Sequence, residues 1–190
     1  MTSPLAAPLL IALLLIPATA LGATPQDTSA LQFGGFRPGV RLGELDAFMR
    51  PRGGGRLRCE RAKGDLRVSE CRGIVRDSVA GALKVWVSAM DSVAGVITLS
   101  AAVDSSALRG WRRDLERRYG RVAAKKQGSQ SMLQWVRRGR MIRLTWRVER
   151  GELLASVSLV DGRVLDSWGA GRSAGHRSRM RKLPSPSSSR

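Results

Sequence analysis

Four segments in the middle of this chain alternate apolar and polar side chains with a period of two. These segments are 83–89, 95–101, 142–148 and 153–159. Successive side chains of a strand point to opposite faces of a sheet, so the pattern indicates strands that are buried on one side. A short polar turn joins the members of each pair, and 66–75 and 132–137 are predicted to be partner strands. The alternation therefore favours an antiparallel sheet with one apolar and one polar face.

A helical pattern precedes each group of strands. An apolar stripe at helical spacing lies within 42–49, just after a Pro-Gly pair. A second stripe runs through 108–119, with Asp104 or Ser105 as the expected N-cap and Gly120 as the expected end.

These patterns predict an α+β fold. We expect two tandem helix-plus-β-hairpin units, the pseudo-repeats 39–103 and 104–168, which together form one antiparallel sheet with two helices packed on one face. The domain is expected to span 39–168, which is long enough for a compact core. We interpret 24–38 as a linker or loosely docked arm and 169–190 as a disordered basic tail, because few large apolar side chains occur in either.

The N-terminal segment indicates export. The first 26 residues carry no charged side chain, whereas all 33 Lys and Arg residues follow them. The apolar run 9–16, then Pro17 and the small residues 18–20, has the layout of a secretory signal, so we predict a signal peptide at 1–23 and a periplasmic or secreted protein. Residues 1–3 lack Lys and Arg, which leaves open a retained membrane anchor or a misplaced start.

The chain has two cysteines, Cys59 and Cys71, which enclose a short polar loop. In an oxidising compartment an even count predicts one disulfide, which would contribute about 3 kcal/mol by closing a loop of this length. Two unpaired buried thiols are the alternative. Two cysteines without a histidine in the folded domain exclude a zinc site with four such ligands.

The formal net charge of +18 attracts anionic partners and would make such binding sensitive to salt. The tail 169–190 contributes +6 of it. However, 28 of the 33 basic residues are Arg and the chain has no Asn, a composition that a GC-rich genome also produces. An exported protein rarely meets nucleic acid, so an unknown protein or an anionic lipid or glycan of the cell envelope is the favoured partner.

A binding function is expected on the sheet face that the helices leave uncovered. Trp and Met beside Arg are enriched at protein interfaces, and the same set suits anionic headgroups. For the tryptophans, packing in the core is the alternative. The candidate interaction surface comprises Lys84, Trp86, Met90, Trp135, Arg143 and Arg147.

The sequence offers no catalytic, cofactor or metal constellation. The single histidine, His176, lies in the tail, and acidic pairs such as Glu44 with Asp46 do not face each other on a helix. The triple glycine 53–55 is interpreted as a connection, since no phosphate-loop Lys-Ser/Thr follows it. We therefore expect no enzymatic activity.

Two short motifs, 38–45 and 159–164, together with the tandem helix-then-strands order, resemble exported modules of the SmpA/BamE and β-lactamase-inhibitor-protein type. The resemblance implies a binding role, although the lipoprotein cysteine of the first group is missing. The expected function is an exported, non-catalytic module that engages a protein or an anionic envelope component. A nonspecific polyanion binder that uses the tail, and a membrane-anchored protein without a specific ligand, are the alternatives.

Overall fold

The computed structural model describes residues 31–168 of the chain. Its last helix, α3, spans residues 162–168. The preceding elements are α1 (Leu42–Met49), a 3-10 helix (Arg50–Arg52), β1 (Arg58–Ala62), β2 (Asp65–Asp77), β3 (Gly81–Met90), β4 (Val93–Ala102), α2 (Ser105–Tyr119), β5 (Lys125–Gln127), β6 (Gln130–Arg137), β7 (Arg140–Glu149) and β8 (Glu152–Asp161).

The eight strands form one sheet in the order β1-β2-β3-β4-β8-β7-β6-β5, and every neighbouring pair is antiparallel. Strands β1 to β4 run as one meander and β5 to β8 as another. The two meanders meet where β4 pairs with β8, from Val96↔Val160 to Ala102↔Leu154. Strands β1 and β5 are therefore the two edges.

The apolar core lies on one face of this sheet. Val87, Ile97, Leu159 and Ile142 are cross-strand neighbours in a row that continues from Cys71, and all five are fully buried. Their alternating positions are those that the period-two pattern predicts to be buried. Burial of one such aliphatic side chain is worth about 1.5–3 kcal/mol, so rows of this kind dominate the stability of the sheet.

The helices α1 and α2 contribute side chains to the same core. Leu45 and Met49 come from α1, and Trp111, Leu115 and Tyr119 come from α2. The predicted ends of α2 are confirmed, because the Asp104 carboxylate accepts a hydrogen bond from the Ala107 N–H at 2.7 Å and Gly120 follows the helix with a φ of 88°.

Residues 31–38 also belong to the folded domain. Leu31, Phe33 and Phe36 are buried, and the Phe33 ring packs edge-on against Trp111 at 5.2 Å between centroids. The Tyr119 hydroxyl donates to the Gln32 carbonyl and accepts from the Gln32 N–H, both at 2.8 Å. This part of the chain is thus fixed to α2, which differs from the linker or loosely docked arm predicted for 24–38.

The predicted architecture of two helix-plus-hairpin units with two helices packed on one face is wrong. Residues 31–168 form one eight-strand antiparallel sheet with three short α-helices. Two strands escaped prediction because β1 and β5 are almost wholly exposed and therefore carry no apolar alternation. Helix α3 follows directly after Asp161, within the motif 159–164, and no helical pattern was predicted there.

Candidate binding face and cationic cleft

The second face of the sheet, here called the open face, lies opposite the core. One row of cross-strand neighbours on this face crosses five strands and consists of Arg72, Trp86, Thr98, Ser158 and Arg143. Each of these side chains is exposed or half-buried. Trp86 and Arg143 are three strand spacings apart, about 14 Å. The structure therefore brings them to one surface but not into contact.

Met90 lies on the open face at the end of β3, where α3 covers it. Its side chain is 3% exposed, and the Ser167 hydroxyl donates to its sulfur at 3.3 Å. Val164 and Leu165 of the same helix lie against Gly95, whose missing Cβ leaves them room. Met90 is consequently a packing residue and is not accessible to a partner.

Trp135 lies on the covered face. It is the cross-strand neighbour of Ile142 and is 3% exposed. Its indole N–H donates to the carbonyl of Gly120 at 2.7 Å, which satisfies the one polar group of the ring. The open-face position predicted for Trp135 is thereby corrected, and the alternative of burial in the core describes its place.

Arg143 and Arg147 remain on the surface with polar partners. The Arg143 guanidinium donates twice to the Gln134 side-chain oxygen, at 2.8 and 3.0 Å, which keeps the positive charge uncompensated. Arg147 forms an ion pair with Glu149 at 2.8 Å. Of the two arginines, Arg143 is thus the one that an anion would find without a carboxylate partner.

Small hydroxyl side chains fill the middle of the open face. Thr98 and Ser158 lie 3.1 Å apart, and Thr145 and Ser156 lie 2.7 Å apart, in each case between hydroxyl oxygens. A hydroxyl has one donor and two acceptor positions, so these mutual bonds leave capacity for a ligand. A cavity of about 410 Å³ opens over this strip, and its lining includes Lys84, Ser100, Thr145, Arg147 and Ser156.

A second cavity, here called the cationic cleft, has a volume of about 650 Å³. Small-molecule sites commonly have volumes of about 300–1,000 Å³. Lys84 and Ser100 line both cavities, so the cleft continues into the hydroxyl strip. The cleft is lined by Arg56, Arg58, Arg72, Ile74, Lys84 and Trp86, besides Ser100 and three small or apolar residues.

The charges of the cleft are not compensated within it. Arg58 and Arg72 are directly opposite each other on β1 and β2, and Arg72 is directly opposite Trp86 on β3. Like charges placed opposite each other across two strands are destabilising. Within residues 31–168, no hydrogen bond or ion pair engages the side chain of Arg58, Arg72 or Lys84, and the lining contains no Asp or Glu.

The surrounding chain fixes the position of these cations. A disulfide joins Cys59 to Cys71, the cross-strand pair next to Arg58 and Arg72. The pairing predicted from the cysteine count is therefore present. On the other side of the cleft, a Cβ at Gly54 would meet the carbonyl oxygens of Ile74 and Met49 at 2.8 and 2.9 Å, so only glycine lets the loop lie this close to β2.

Asp46 of α1 anchors the segment that leads into β1. Its carboxylate accepts from the Arg50 side chain at 2.6 Å and from the Leu57 N–H at 2.8 Å. These bonds hold the pKa of Asp46 below its usual value. The triple glycine thus connects α1 to the cleft, with Gly53 and Gly54 closely packed and Gly55 in open space.

Sequence reasoning missed Arg56, Arg58 and Arg72. The signal that could have found two of them was the cysteine pair, because a bridge across a hairpin turning near Lys63–Asp65 places Arg58 opposite Arg72. Because β1 was not predicted, the pairing of Arg58 with Arg72 was not predicted either.

The described residues contain neither a candidate metal-binding group nor a helix that could cross a membrane. Within 31–168 no group of three or more His, Cys, Asp or Glu side chains could hold a metal ion. No helix in the same range is both long and apolar enough to cross a membrane. The predicted signal peptide, the basic tail and His176 lie outside the described residues.

Comparison of the chain with protein-family models, with curated proteins and with solved structures gives no match.

Proposed function

We propose that this protein is an exported, non-catalytic binding module whose open face engages an anionic component of the cell envelope. The observation that carries the proposal is the set of cations on this face without an acidic partner: Arg58, Arg72 and Lys84 line one cavity with the half-buried ring of Trp86, and Arg143 lies further along the same face. Arginine beside an aromatic ring is a recurrent anchor in binding sites. Surface cations with free hydrogen-bond donors bind phosphate and carboxylate groups by charge-assisted bonds.

The disulfide supports the exported part of the proposal, because such bonds persist in oxidising compartments. It is compatible with the periplasmic or secreted location that the leader indicates. The proposal that the module is non-catalytic rests on the sequence, which contains no recognisable motif that pairs a nucleophile with a general base.

The experiment measures retention of the purified chain on envelope material from its native host. Lys84→Glu/Arg143→Glu reverses two open-face charges. The matched control Arg109→Glu/Arg113→Glu makes the same change in net charge on the exposed face of α2. We expect the open-face variant to lose at least tenfold in retention and the control to stay within about twofold of wild type.

Equal losses for the two variants would contradict the proposal, because retention would then follow net charge alone. Deletion of 169–190 tests the polyanion alternative in the same assay. If the tail is the binding element, its removal reduces the slope of log affinity against log salt, and the open-face variant keeps its affinity.

A further inference from the structure

The two cavities of the open face form one continuous surface, with a cluster of cations at one end and, at the other, hydroxyl groups beside the Arg147 and Glu152 side chains and apolar residues. Lys84 and Ser100 stand at the junction, since both line the cleft and the cavity over the hydroxyl strip. A ligand seated in the cleft would therefore extend over Ser100 and meet Thr145 and Ser156. Its chemistry has to fit both parts.

We propose that the cationic cleft binds the phosphate group of a phosphorylated saccharide, with the sugar ring seated on Trp86. This inference rests on the proposed function and names the chemistry of the anionic component.

The charge of the cleft favours phosphate. Arg58 and Arg72 are adjacent across two strands, with Arg56 and Lys84 in the same lining. Planar guanidinium groups donate pairs of parallel hydrogen bonds to phosphate oxygens. A phosphate monoester carries close to two negative charges at neutral pH and three acceptor oxygens, so it compensates this cluster better than a single carboxylate does.

The apolar part of the cleft fits a sugar ring. Trp86 is the direct neighbour of Arg72, and Ile74 on β2 is 55% exposed in the same lining. One face of a pyranose ring presents C–H groups, which pack on an indole, while its edge presents hydroxyl groups.

The hydroxyl strip distinguishes a saccharide from an acyl chain. Beyond Ser100 the surface presents Thr145 and Ser156, whose hydroxyls bond to each other and keep donor or acceptor capacity. An acyl chain placed over these groups would remove them from water without replacing their hydrogen bonds, which costs free energy. A polyhydroxylated ligand offers such bonds in return.

The experiment uses the full mature chain and isothermal titration calorimetry with four probes: glucose 1-phosphate, glucose, inorganic phosphate and vesicles of phosphatidylglycerol in phosphatidylcholine. We expect glucose 1-phosphate to bind most tightly among the three soluble probes. Arg58→Gln/Arg72→Gln should weaken it at least tenfold. The matched control Arg109→Gln/Arg113→Gln should change it less than twofold.

A second variant separates the ring from the phosphate. Trp86→Leu should lower the affinity for glucose 1-phosphate several-fold and leave the affinity for inorganic phosphate unchanged. In an NMR titration of the wild type with glucose 1-phosphate, the indole N–H resonance of Trp86, which is absent from the spectrum of the variant, should shift. A melting temperature within a few degrees of wild type shows that each variant is folded.

Three outcomes would overturn the inference. Inorganic phosphate that binds as tightly as glucose 1-phosphate would show that the sugar adds nothing. Vesicle binding that depends on Arg58 and Arg72, without binding of the sugar phosphate, would make a lipid surface the occupant. Envelope retention that falls for Arg143→Glu, which lies outside the cleft, but not for Arg58→Gln/Arg72→Gln would exclude the cleft as the binding site and leave the proposed function intact.

Discussion

Two exposed basic regions of this molecule differ in how the charge of their arginines is compensated, and the first is the part of the outer face of α2 that carries Arg112, Arg117 and Arg118. There Arg112 forms an ion pair with Glu116 at 2.8 Å. Asp114 holds Arg117 at 2.7 Å and Arg118 at 3.1 Å. These pairs stand three or four residues apart, the spacing at which helix side chains meet, and they form within one element.

The second region is the cationic cleft. Its arginines come from separate strands, face each other across the β1–β2 pair and have no carboxylate in the lining. The difference teaches that a net charge of +18 does not identify a binding site in this chain. The informative observation is that cations from separate strands line one cavity whose lining contains no acid, and that Arg58, Arg72 and Lys84 form no ion pair within residues 31–168.

Pairing stabilises the fold most where it is buried, and Asp161 is that case. Its side chain is 3% exposed, and it accepts from Arg140 at 2.8 Å and from Arg163 at 3.4 Å. Asp161→Asn leaves the partly buried Arg140 without its carboxylate, whereas Arg163 is mostly exposed. We expect Asp161→Asn to lower the free energy of unfolding by about 3 kcal/mol, the lower end of the range for a buried pair, measured by urea denaturation.

Glu149→Gln is the matched control for Asp161→Asn. It removes the carboxylate that pairs with Arg147, and both of those side chains are about half exposed. The control should cost less than about 0.5 kcal/mol. Similar losses for the two variants would contradict the role assigned to burial.

The same carboxylate makes stability depend on pH. Burial raises the pKa of Asp161, but the hydrogen bonds and charges of Arg140 and Arg163 outweigh this, so its pKa lies below the usual value. A lowered folded-state pKa gives stability that is present above the unfolded-state pKa, near pH 4, and is lost as pH falls below it. The wild-type advantage over Asp161→Asn should therefore shrink between about pH 5 and pH 2, measured by denaturation at each pH. An advantage that stays constant over this interval would show that Asp161 does not titrate there.

Removal of the disulfide tests whether the cleft depends on the covalent link between β1 and β2. The ion pairs on α2 form within one helix and do not depend on such a link. We expect Cys59→Ala/Cys71→Ala to lower the free energy of unfolding by about 3 kcal/mol, because the 12-residue separation closes a short loop in the unfolded chain. Affinity for glucose 1-phosphate should fall as well, since β1 is an edge strand held by β2 alone.

Wild type treated with a reductant is the control for the disulfide. It should lose the same stability as the double variant, and the reductant should not affect the variant. A loss below about 1 kcal/mol would contradict the loop-closure argument.

The strands in which apolar and polar side chains alternate were predictable. Strands β3, β4, β7 and β8 bury one face each, and α2 begins and ends at its expected residues. The edge strands β1 and β5 could not be predicted from alternation, because an exposed strand has no apolar period, and only the cysteine pair pointed to β1. Arg58 lies on such an edge strand and Arg56 just before it, so neither residue was predicted to belong to the site.

The site was predictable only in part. Lys84, Trp86 and Arg143 lie on the open face, as the pattern indicated. In β6, apolar residues occur at both sets of alternating positions, and only the pairing of Trp135 with Ile142 decides which set is buried. Met90 is covered by a helix that the sequence did not reveal. A neighbouring hairpin strand settles the position of Trp135, whereas the helix that contains Ser167, 77 residues further along the chain, settles that of Met90.

The smallest expected effects bear most directly on the comparison of the two basic regions. Arg58→Gln removes one of two opposed like charges, so we expect it to raise the free energy of unfolding by about 0.5 kcal/mol. Arg112→Gln removes a helix ion pair, so we expect it to lower that free energy by about 0.3 kcal/mol. Both changes should shrink toward zero in 1 M salt, measured by urea denaturation at low and high salt.

Opposite signs for these two substitutions would mean that the same residue type stabilises the fold on α2 and opposes it in the cleft. A repulsive pair of arginines next to a cavity lowers the stability of the protein when no anion is bound. Its presence would therefore be explained by anion binding and not by a contribution to stability. If Arg58→Gln instead destabilises the protein, the arginine supports the structure of β1, and the distinction between the two regions fails.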